Sequence, residues 1–131
     1  MDFEGTNYSA FYSEFQVKEE PLYRLSIAGF DTDMSTAQDS LTYHHGMAFS
    51  TRDNDNDLHA DLNCAERSLG AWWYNRCHRS NLNGYNYNNG SLPVRPEFYA
   101  NGITYRNDVN VPDHDNYFSW PQASMQIRRK L

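Results

Sequence analysis

The sequence predicts an α+β fold that contains more strand than helix. Aromatic and alternating apolar residues dominate the first 27 residues, a pattern typical of β-strands. Residues 31–41 are small and polar, so they could hold one short helix or a loop. From Tyr43 onward Gly, Asn, Asp and Pro predominate and the periodicity disappears, which predicts a loop-rich second half. We therefore expect a single domain with a sheet-rich part, residues 1–50, and a loop-rich binding part, residues 51–131.

Three segments carry the strand pattern. Residues 2–15 contain five aromatic side chains and continue as an extended segment to Val17. Residues 21–27 alternate apolar and polar side chains, as in a half-buried strand, and Gly29 is expected to end that strand. Residues 123–127 have the spacing of a short closing strand.

Length and composition limit the class of protein. A chain of 131 residues fits one domain, and its ten tyrosines and three tryptophans predict a core rich in aromatic rings. The net charge of −6 argues against a nucleic-acid partner, since such binding needs a basic face. No apolar run approaches the roughly 20 residues of a membrane span, so we expect no membrane partner. Two cysteines and two Asn-X-Ser sequons, at Asn7 and Asn89, fit a secreted protein.

Three aspartates alternate at Asp53, Asp55 and Asp57. This is the spacing of the first ligands of an EF-hand, but Leu58 and Cys64 stand where that motif needs Gly and Glu, so the EF-hand is excluded. The clustered charges would repel one another without a counter-charge. Two interpretations remain open: a cation held by two carboxylates and backbone carbonyls further along the chain, or a solvated acidic turn.

The two cysteines, Cys64 and Cys77, have twelve residues between them. In an oxidising compartment we expect a disulfide, which would contribute roughly 3 kcal/mol by restricting the unfolded chain. The alternative is a pair of reduced thiols in a cytosolic protein. A zinc site lacks both the CxxC spacing and a second pair of ligands. Trp72 and Trp73 lie inside this loop, and we expect both to pack in the core; the alternative is that one packs in the core and another faces a pocket.

Catalytic motifs are missing from the sequence. There is no GxSxG elbow, no HExxH zinc helix and no glycine-rich phosphate loop. His78 follows Cys77 directly, and taken alone it suits a loop residue, while the other histidines have no spacing that makes a catalytic set. We therefore predict that the chain is not an enzyme.

Several motifs together resemble one family. The run FSTRDNDND, followed by NCAE and then GAWWYNRCHRSNLNGYNY, is similar to the C-terminal half of a fibrinogen-related domain, the module of fibrinogen chains, ficolins, tachylectins, tenascins and angiopoietins. DFEGTNYSAFYSEFQVKEEPLYRLSIAGF, LTYHHGMAFST, YANGI and MQIRRK also match, so the resemblance covers nearly the whole chain. It implies a fibrinogen C-terminal-like fold: a small antiparallel sheet and a loop-rich subdomain that binds calcium and ligand.

A full module of this family runs to roughly 200 residues, the upper end of a single domain. The resemblance therefore implies an N-terminally truncated module that begins near the middle and lacks the family's first subdomain. Strand neighbours of residues 2–17 would then be missing, which leaves an exposed sheet edge. On that basis we expect self-association or reduced stability. The segment between Gly102 and Trp120 is also longer than usual.

The resemblance implies a calcium site. Asp55 and Asp57 match the family's side-chain ligands, and backbone carbonyls near His59 and Asp61 would complete the coordination. Extracellular calcium modules of low ligand charge bind on the order of 10⁻⁴–10⁻³ M, and we expect that range here.

The resemblance also implies an acetyl-binding pocket beside the calcium site. The peptide bond between Arg76 and Cys77 would be cis, and the N–H groups of Cys77 and His78 would hold the acetyl carbonyl. Another pocket position, usually aromatic, falls on Ser68. The residues matched to the pocket are Cys77, His78, Tyr99, Ala100 and, as the outer aromatic, Tyr117.

The function implied is that of a secreted, calcium-dependent lectin in innate-immune pattern recognition. Its partners would be acetylated glycans or bacterial cell-wall components. The alternative is a protein-binding fibrinogen-like module that engages a peptide or a receptor.

Overall fold

The computed structural model describes residues 5–88, 95, 97, 99–105 and 119–129. Within them, four strands form two antiparallel pairs, and the helices are short. The elements in chain order are β1 (Phe11–Val17), β2 (Leu25–Asp31), a 3₁₀ helix (Thr42–His44), α1 (Cys64–Arg67), β3 (Ser80–Asn81) and β4 (Thr104–Tyr105). Small antiparallel sheets with little helix agree with the predicted α+β fold. In this part of the chain no helix is long and apolar enough to cross a membrane.

Strands β1 and β2 form the larger sheet, in a register that runs from Phe11 opposite Asp31 to Val17 opposite Leu25. The predicted first strand is too long, because residues 5–10 are not strand. There the carbonyl of Ser9 instead accepts two backbone N–H groups from the loop that follows β2, at 2.8 and 2.9 Å.

Gly29 does not end the second strand, as the sequence suggested, but lies within it. Its φ is +68°, and a Cβ built there would lie 1.9 Å from Oγ of Ser13 on β1. Glycine therefore allows β2 to continue to Asp31 where the two strands come closest. The predicted start is also displaced, since β2 begins at Leu25.

The two edges of this sheet differ. The outer edge of β2 is covered by residues 45–47, where Leu25 N–H donates to Met47 at 3.0 Å and Gly46 N–H donates to Leu25 at 2.7 Å. Strand β1 pairs only with β2 among the described residues. The predicted closing strand at residues 123–127 is wrong: this segment is exposed and belongs to no strand. Alternation predicts a strand only where a neighbouring edge completes the backbone hydrogen bonds.

The core is aromatic, as the composition predicts. Trp72 and Tyr74 are fully buried, and Trp73 is 9% exposed. The rings of Trp72 and Trp73 pack edge-on with centroids 5.2 Å apart, and Trp73 donates its indole N–H to the carbonyl of Tyr23 at 2.7 Å. Both tryptophans are therefore core residues, which confirms that prediction. Leu25 and Ile27 contribute the buried face of β2 to the same cluster.

A tyrosine pair joins the sheet-rich and loop-rich parts. The Tyr12 hydroxyl on β1 donates to Asp39 at 2.8 Å and lies 3.0 Å from the Tyr105 hydroxyl on β4. Burial, together with the Tyr105 hydroxyl, raises the pKa of Tyr12 well above its ordinary value. Tyr12 and Tyr105 therefore stay neutral at any physiological pH, and their hydroxyl groups hold the two parts together by hydrogen bonds.

Gly84 lies against backbone of another loop in the loop-rich part. A Cβ on Gly84 would lie 2.0 Å from the carbonyl oxygen of Gly102, beside the bridge between Tyr85 and Gly102. Backbone cannot move aside as a flexible side chain can. The residue is therefore glycine for steric reasons, not for a left-handed φ.

We predict that Gly84→Ala lowers the free energy of unfolding by roughly 1–3 kcal/mol through overpacking. Gly46→Ala is the matched control, because its φ is +79° but nothing lies within 4 Å of the added carbon. That control should lose about 1 kcal/mol from backbone strain alone. Urea unfolding of both variants measures the difference, and a Gly84→Ala loss no larger than that of the control would contradict the steric account.

Candidate functional site

The three aspartates do not form one cluster. Asp53 lies in a tight turn closed by two backbone hydrogen bonds between Thr51 and Asn54, at 3.0 and 3.2 Å. Its carboxylate accepts the Thr51 hydroxyl at 2.7 Å, which lowers the pKa of Asp53. Asp53 thus closes its own turn, and only Asp55 and Asp57 remain available for a shared role.

Asp57 connects the acidic loop to α1. One carboxylate oxygen accepts the N–H of His59 and the other accepts the N–H of Cys64, each at 2.7 Å. Asp55 accepts the Asp57 N–H at 3.1 Å, and the two carboxyl groups lie close enough to interact directly. Burial, with the neighbouring Asp55 carboxyl as a further cause, raises the pKa of Asp57. A partly buried carboxylate beside a second, exposed one is a pair whose repulsion a cation would relieve.

The donor set here suits a hard cation. Among hydrogen bonds between described residues, none uses the backbone carbonyl of His59 or Asp61. The His59 imidazole accepts the Asp61 N–H at 3.3 Å, so the side chain is engaged within the loop. The described residues contain no group of three or more His, Cys, Asp or Glu side chains suited to a metal. Two carboxylates with backbone carbonyl oxygens fit calcium, whereas structural zinc sites are built from Cys and His ligands.

A disulfide joins this loop to the next one. Cys64 and Cys77 are bonded, with an S–S distance of 2.07 Å, which confirms the predicted pairing. Asn63 caps α1 by accepting the Glu66 N–H at 2.9 Å, and its amide reaches the carbonyl of Arg52 at 3.2 Å. Cys64 therefore sits at a fixed helix start that is also held by the acidic loop.

The segment around Cys77 turns sharply. The Arg76–Cys77 peptide bond is cis, as the resemblance implies. Asn75 donates its N–H to the Cys77 carbonyl at 2.8 Å and accepts the N–H of Leu58 at 3.0 Å, so this turn is also tied to the acidic loop. The Cys77 N–H donates no hydrogen bond in the described part of the chain.

His78 is held in one orientation. Its Nε2 lies 2.8 Å from the Ala100 carbonyl, and its Nδ1 lies 3.4 Å from the Thr104 hydroxyl. Because a carbonyl only accepts, we assign the proton to Nε2, which leaves Nδ1 to accept from Thr104. The ring also packs against Tyr74, with centroids 6.0 Å apart. A ring fixed on both nitrogens positions neighbouring groups and is poorly suited to act as a base.

The structure brings some of the predicted pocket residues together. Cys77, His78 and Ala100 meet through the hydrogen bond between His78 and Ala100. Ala100 is 7% exposed with φ +57°, and Tyr99 beside it lies under the Arg67 guanidinium, 5.0 Å from the ring centroid. Tyr117 lies outside the described residues.

Ser68 is fully buried, and its hydroxyl has no hydrogen-bond partner within the described structure. A side chain in that position cannot contact a ligand at the surface. The pocket wall that the resemblance places at this position is therefore not supplied by Ser68.

His44 is the residue of this region that the sequence did not single out. Its Nδ1–H donates to the Trp73 carbonyl at 2.7 Å, and its Nε2 accepts the N–H groups of Arg79 and Ser80, each at 3.2 Å. It thus fastens the strand that follows His78. Its only sequence signal is its place in the LTYHHGMAFST match. Burial, with a smaller contribution from the charge of Arg79, lowers the pKa of His44 to about 4.

We predict that acid destabilises the protein through His44. The unfolded chain takes up a proton below about pH 6.5, but the folded ring stays neutral down to about pH 4, so stability falls as the pH drops through that window. The loss should approach about 3 kcal/mol at the low end. His44→Gln does not titrate and should show a flatter dependence. Thermal unfolding between these pH values measures both slopes, and equal slopes would rule out this role for His44.

Comparison with known proteins identifies the family. The sequence profile described as "Fibrinogen beta and gamma chains, C-terminal globular domain" matches residues 1–130. The chain belongs to this family. This confirms the fibrinogen-related assignment made from the sequence motifs.

Individual relatives agree with the fibrinogen assignment. Microfibril-associated glycoprotein 4 from Homo sapiens is 39% identical over 134 residues, covering 98% of this chain and 48% of the relative. The fibrinogen-like globe domain of human ANGPTL2 is 32% identical with a TM-score of 0.78, covering 92% of this chain and 50% of that one. The lamprey fibrin D-dimer, complexed with the peptide ligand Gly-His-Arg-Pro-amide, is 31% identical with a TM-score of 0.75, covering 92% and 40%.

These structural neighbours confirm the predicted α+β fibrinogen C-terminal-like fold. The chain spans no more than half the length of each relative described above.

Proposed function

We propose that this fibrinogen-like chain is an extracellular, calcium-dependent recognition module, not an enzyme, and that it binds acetylated sugars such as those of bacterial cell walls. The observation that supports this most is the joining of two loops by one disulfide. One is an oxygen-rich acidic loop at Asp55 and Asp57, and the other is the turn at Cys77–His78, where the Cys77 N–H donates no hydrogen bond among the described residues. A disulfide and a relative described as a microfibril-associated glycoprotein support an extracellular setting.

Asp55 and Asp57 would hold calcium through their side chains, with backbone carbonyls of His59 and Asp61 beside them. When bound, the ion supplies positive charge that relieves the repulsion between the two carboxyl groups. Contacts within the chain connect the acidic loop to the turn at Cys77. Asp57 fixes the Cys64 N–H, Cys64 is bonded to Cys77, and Leu58 holds the same turn from the acidic loop.

In this proposal the acetyl carbonyl accepts the Cys77 N–H. His78 positions the neighbouring Ala100 by donating to its carbonyl at 2.8 Å, so the alanine methyl group can contact the acetyl methyl. Tyr99, 37% exposed, adds an aromatic edge to the same surface. A single acetyl group offers little contact area, so useful affinity would require several copies of the module.

Peptide binding is the second candidate. The lamprey fibrin D-dimer relative is complexed with a Gly-His-Arg-Pro-amide peptide. The net charge of −6 on this chain suits a basic peptide of that kind. Such a ligand would use the same turn, with its cationic groups near the acidic loop.

We predict that calcium stabilises the folded chain through Asp55. At about 10 mM calcium and the expected affinity range, the stabilisation is about 1.4–2.7 kcal/mol, a rise of several degrees in melting temperature. Asp55→Asn retains an oxygen that can accept the Asp57 N–H but removes one charge, so the rise should disappear.

Asp53→Asn is the matched control for this experiment. Asp53 has the same exposure to solvent on the same loop, but its carboxylate is turned toward the Thr51 hydroxyl. This variant should keep the calcium response of the unmodified chain. A calcium response in Asp55→Asn equal to that of the control would exclude the metal assignment.

We predict calcium-dependent retention on N-acetylated resin. The chain should bind resin that carries N-acetyl groups and elute when a chelator is added. It should not bind the same resin after deacetylation. His78→Ala should lose retention, because Ala100 would lose its anchor. Retention of the chain on a Gly-His-Arg-Pro resin, but not on the acetylated resin, would favour the peptide candidate. If the chain binds none of the acetylated, deacetylated and peptide resins, both candidates are contradicted.

A further inference from the structure

Two tyrosines pack on each other just after β3. The rings of Tyr85 and Tyr87 have centroids 4.7 Å apart and are tilted by 55°. Tyr85 is 57% exposed, whereas Tyr87 is half-buried. The Tyr85 ring is therefore exposed to solvent and packs against the half-buried Tyr87 ring.

Backbone contacts hold this pair in place. Tyr85 donates its N–H to the Asn101 carbonyl at 2.9 Å, and its carbonyl lies 3.4 Å from the Ser119 hydroxyl. The Tyr87 hydroxyl donates to the Asn101 side chain at 2.9 Å. An exposed ring on a backbone anchored at both polar groups loses little freedom when a ligand covers it.

The tyrosine pair is continuous with the candidate acetyl pocket. Asn101, which contacts both tyrosines, directly follows Ala100, whose carbonyl anchors His78. One short segment, residues 99–102, therefore carries the pocket wall and the support for Tyr85. A ligand larger than a single acetyl group would extend along this segment.

The chemistry of the surface favours a neutral ligand. Residues 80–88 read SNLNGYNYN and contain no charged side chain. Asn83, Asn86 and Asn88 are exposed on the same segment as Tyr85. A pyranose matches this arrangement, because its C–H face packs against an aromatic ring while its hydroxyls meet amide groups. A basic peptide would find no counter-charge on this segment.

We propose that Tyr85, supported by Tyr87, forms a second sugar subsite beside the acetyl pocket. The ligand class is then an oligosaccharide of at least two rings, with an N-acetylated residue in the pocket and the next ring against Tyr85. This inference rests on the proposed acetyl-sugar function.

The test compares N-acetylglucosamine with N,N′-diacetylchitobiose by titration calorimetry in calcium buffer. The chain should bind the disaccharide roughly five- to tenfold more tightly, the scale of one well-placed aromatic contact. Two acetyl groups alone give about twofold for statistical reasons, so the ratio must exceed that. Tyr85→Ala should reduce the ratio to about two without changing the affinity for the monosaccharide, and Tyr85→Phe should retain it.

Tyr23→Ala is the matched control, because Tyr23 is another exposed tyrosine, 43% exposed, in the loop before β2. It should leave the ratio unchanged. Two results would contradict the subsite but not the acetyl pocket. In both, the monosaccharide binds, and the ratio of disaccharide to monosaccharide affinity is either about two or unchanged in Tyr85→Ala. If the unmodified chain binds neither sugar, the proposed function fails and the subsite fails with it.

Discussion

The Asp57 carboxylate accepts one backbone N–H on each oxygen, from His59 and from Cys64, both at 2.7 Å. These two bonds fasten the acidic loop to the start of α1, and the disulfide carries the connection to Cys77. Regular secondary structure is sparse here, so backbone groups that a strand or helix would satisfy depend on such side chains. Removing this carboxylate would release two N–H groups and the loop between them at once.

His44 performs a similar task from the opposite side of the site. As a neutral ring it donates to Trp73 and accepts from Arg79 and Ser80. Two polar side chains therefore hold the segments connected to the Cys77–His78 turn: Asp57 through Cys64, and His44 through Arg79 and Ser80. His44 depends on its protonation state, since its Nε2 accepts these N–H groups only when the ring is neutral. Because burial lowers the pKa of His44 to about 4, neutral pH satisfies this condition.

The sequence motifs predict the overall fold and the Cys64–Cys77 disulfide, and both are confirmed. The disulfide could be found because it depends on residue type and close spacing, whereas the roles of Asp55 and Asp57 in metal binding stay predictions. Strand bounds were less accurate, since they depend on partners distant in sequence: Ser9 bonds a loop instead of a strand, and residues 123–127 have no neighbouring edge. His44 could not be found from its spacing, because its partners lie 29 to 36 residues away.

Coupling between the two proposed ligands follows from the same contacts. Burial, with the Asp55 carboxyl as a smaller cause, raises the pKa of Asp57 and so disfavours its charged form. An ion between the two carboxyl groups would offset this effect and order the loop, and through Cys64 and Leu58 it would order the turn at Cys77. Linkage is reciprocal, so a sugar that prefers the ordered turn must raise the affinity for calcium by the same factor. Weak calcium binding would then be an advantage, because a loop already saturated with calcium could not gain calcium affinity when the sugar binds.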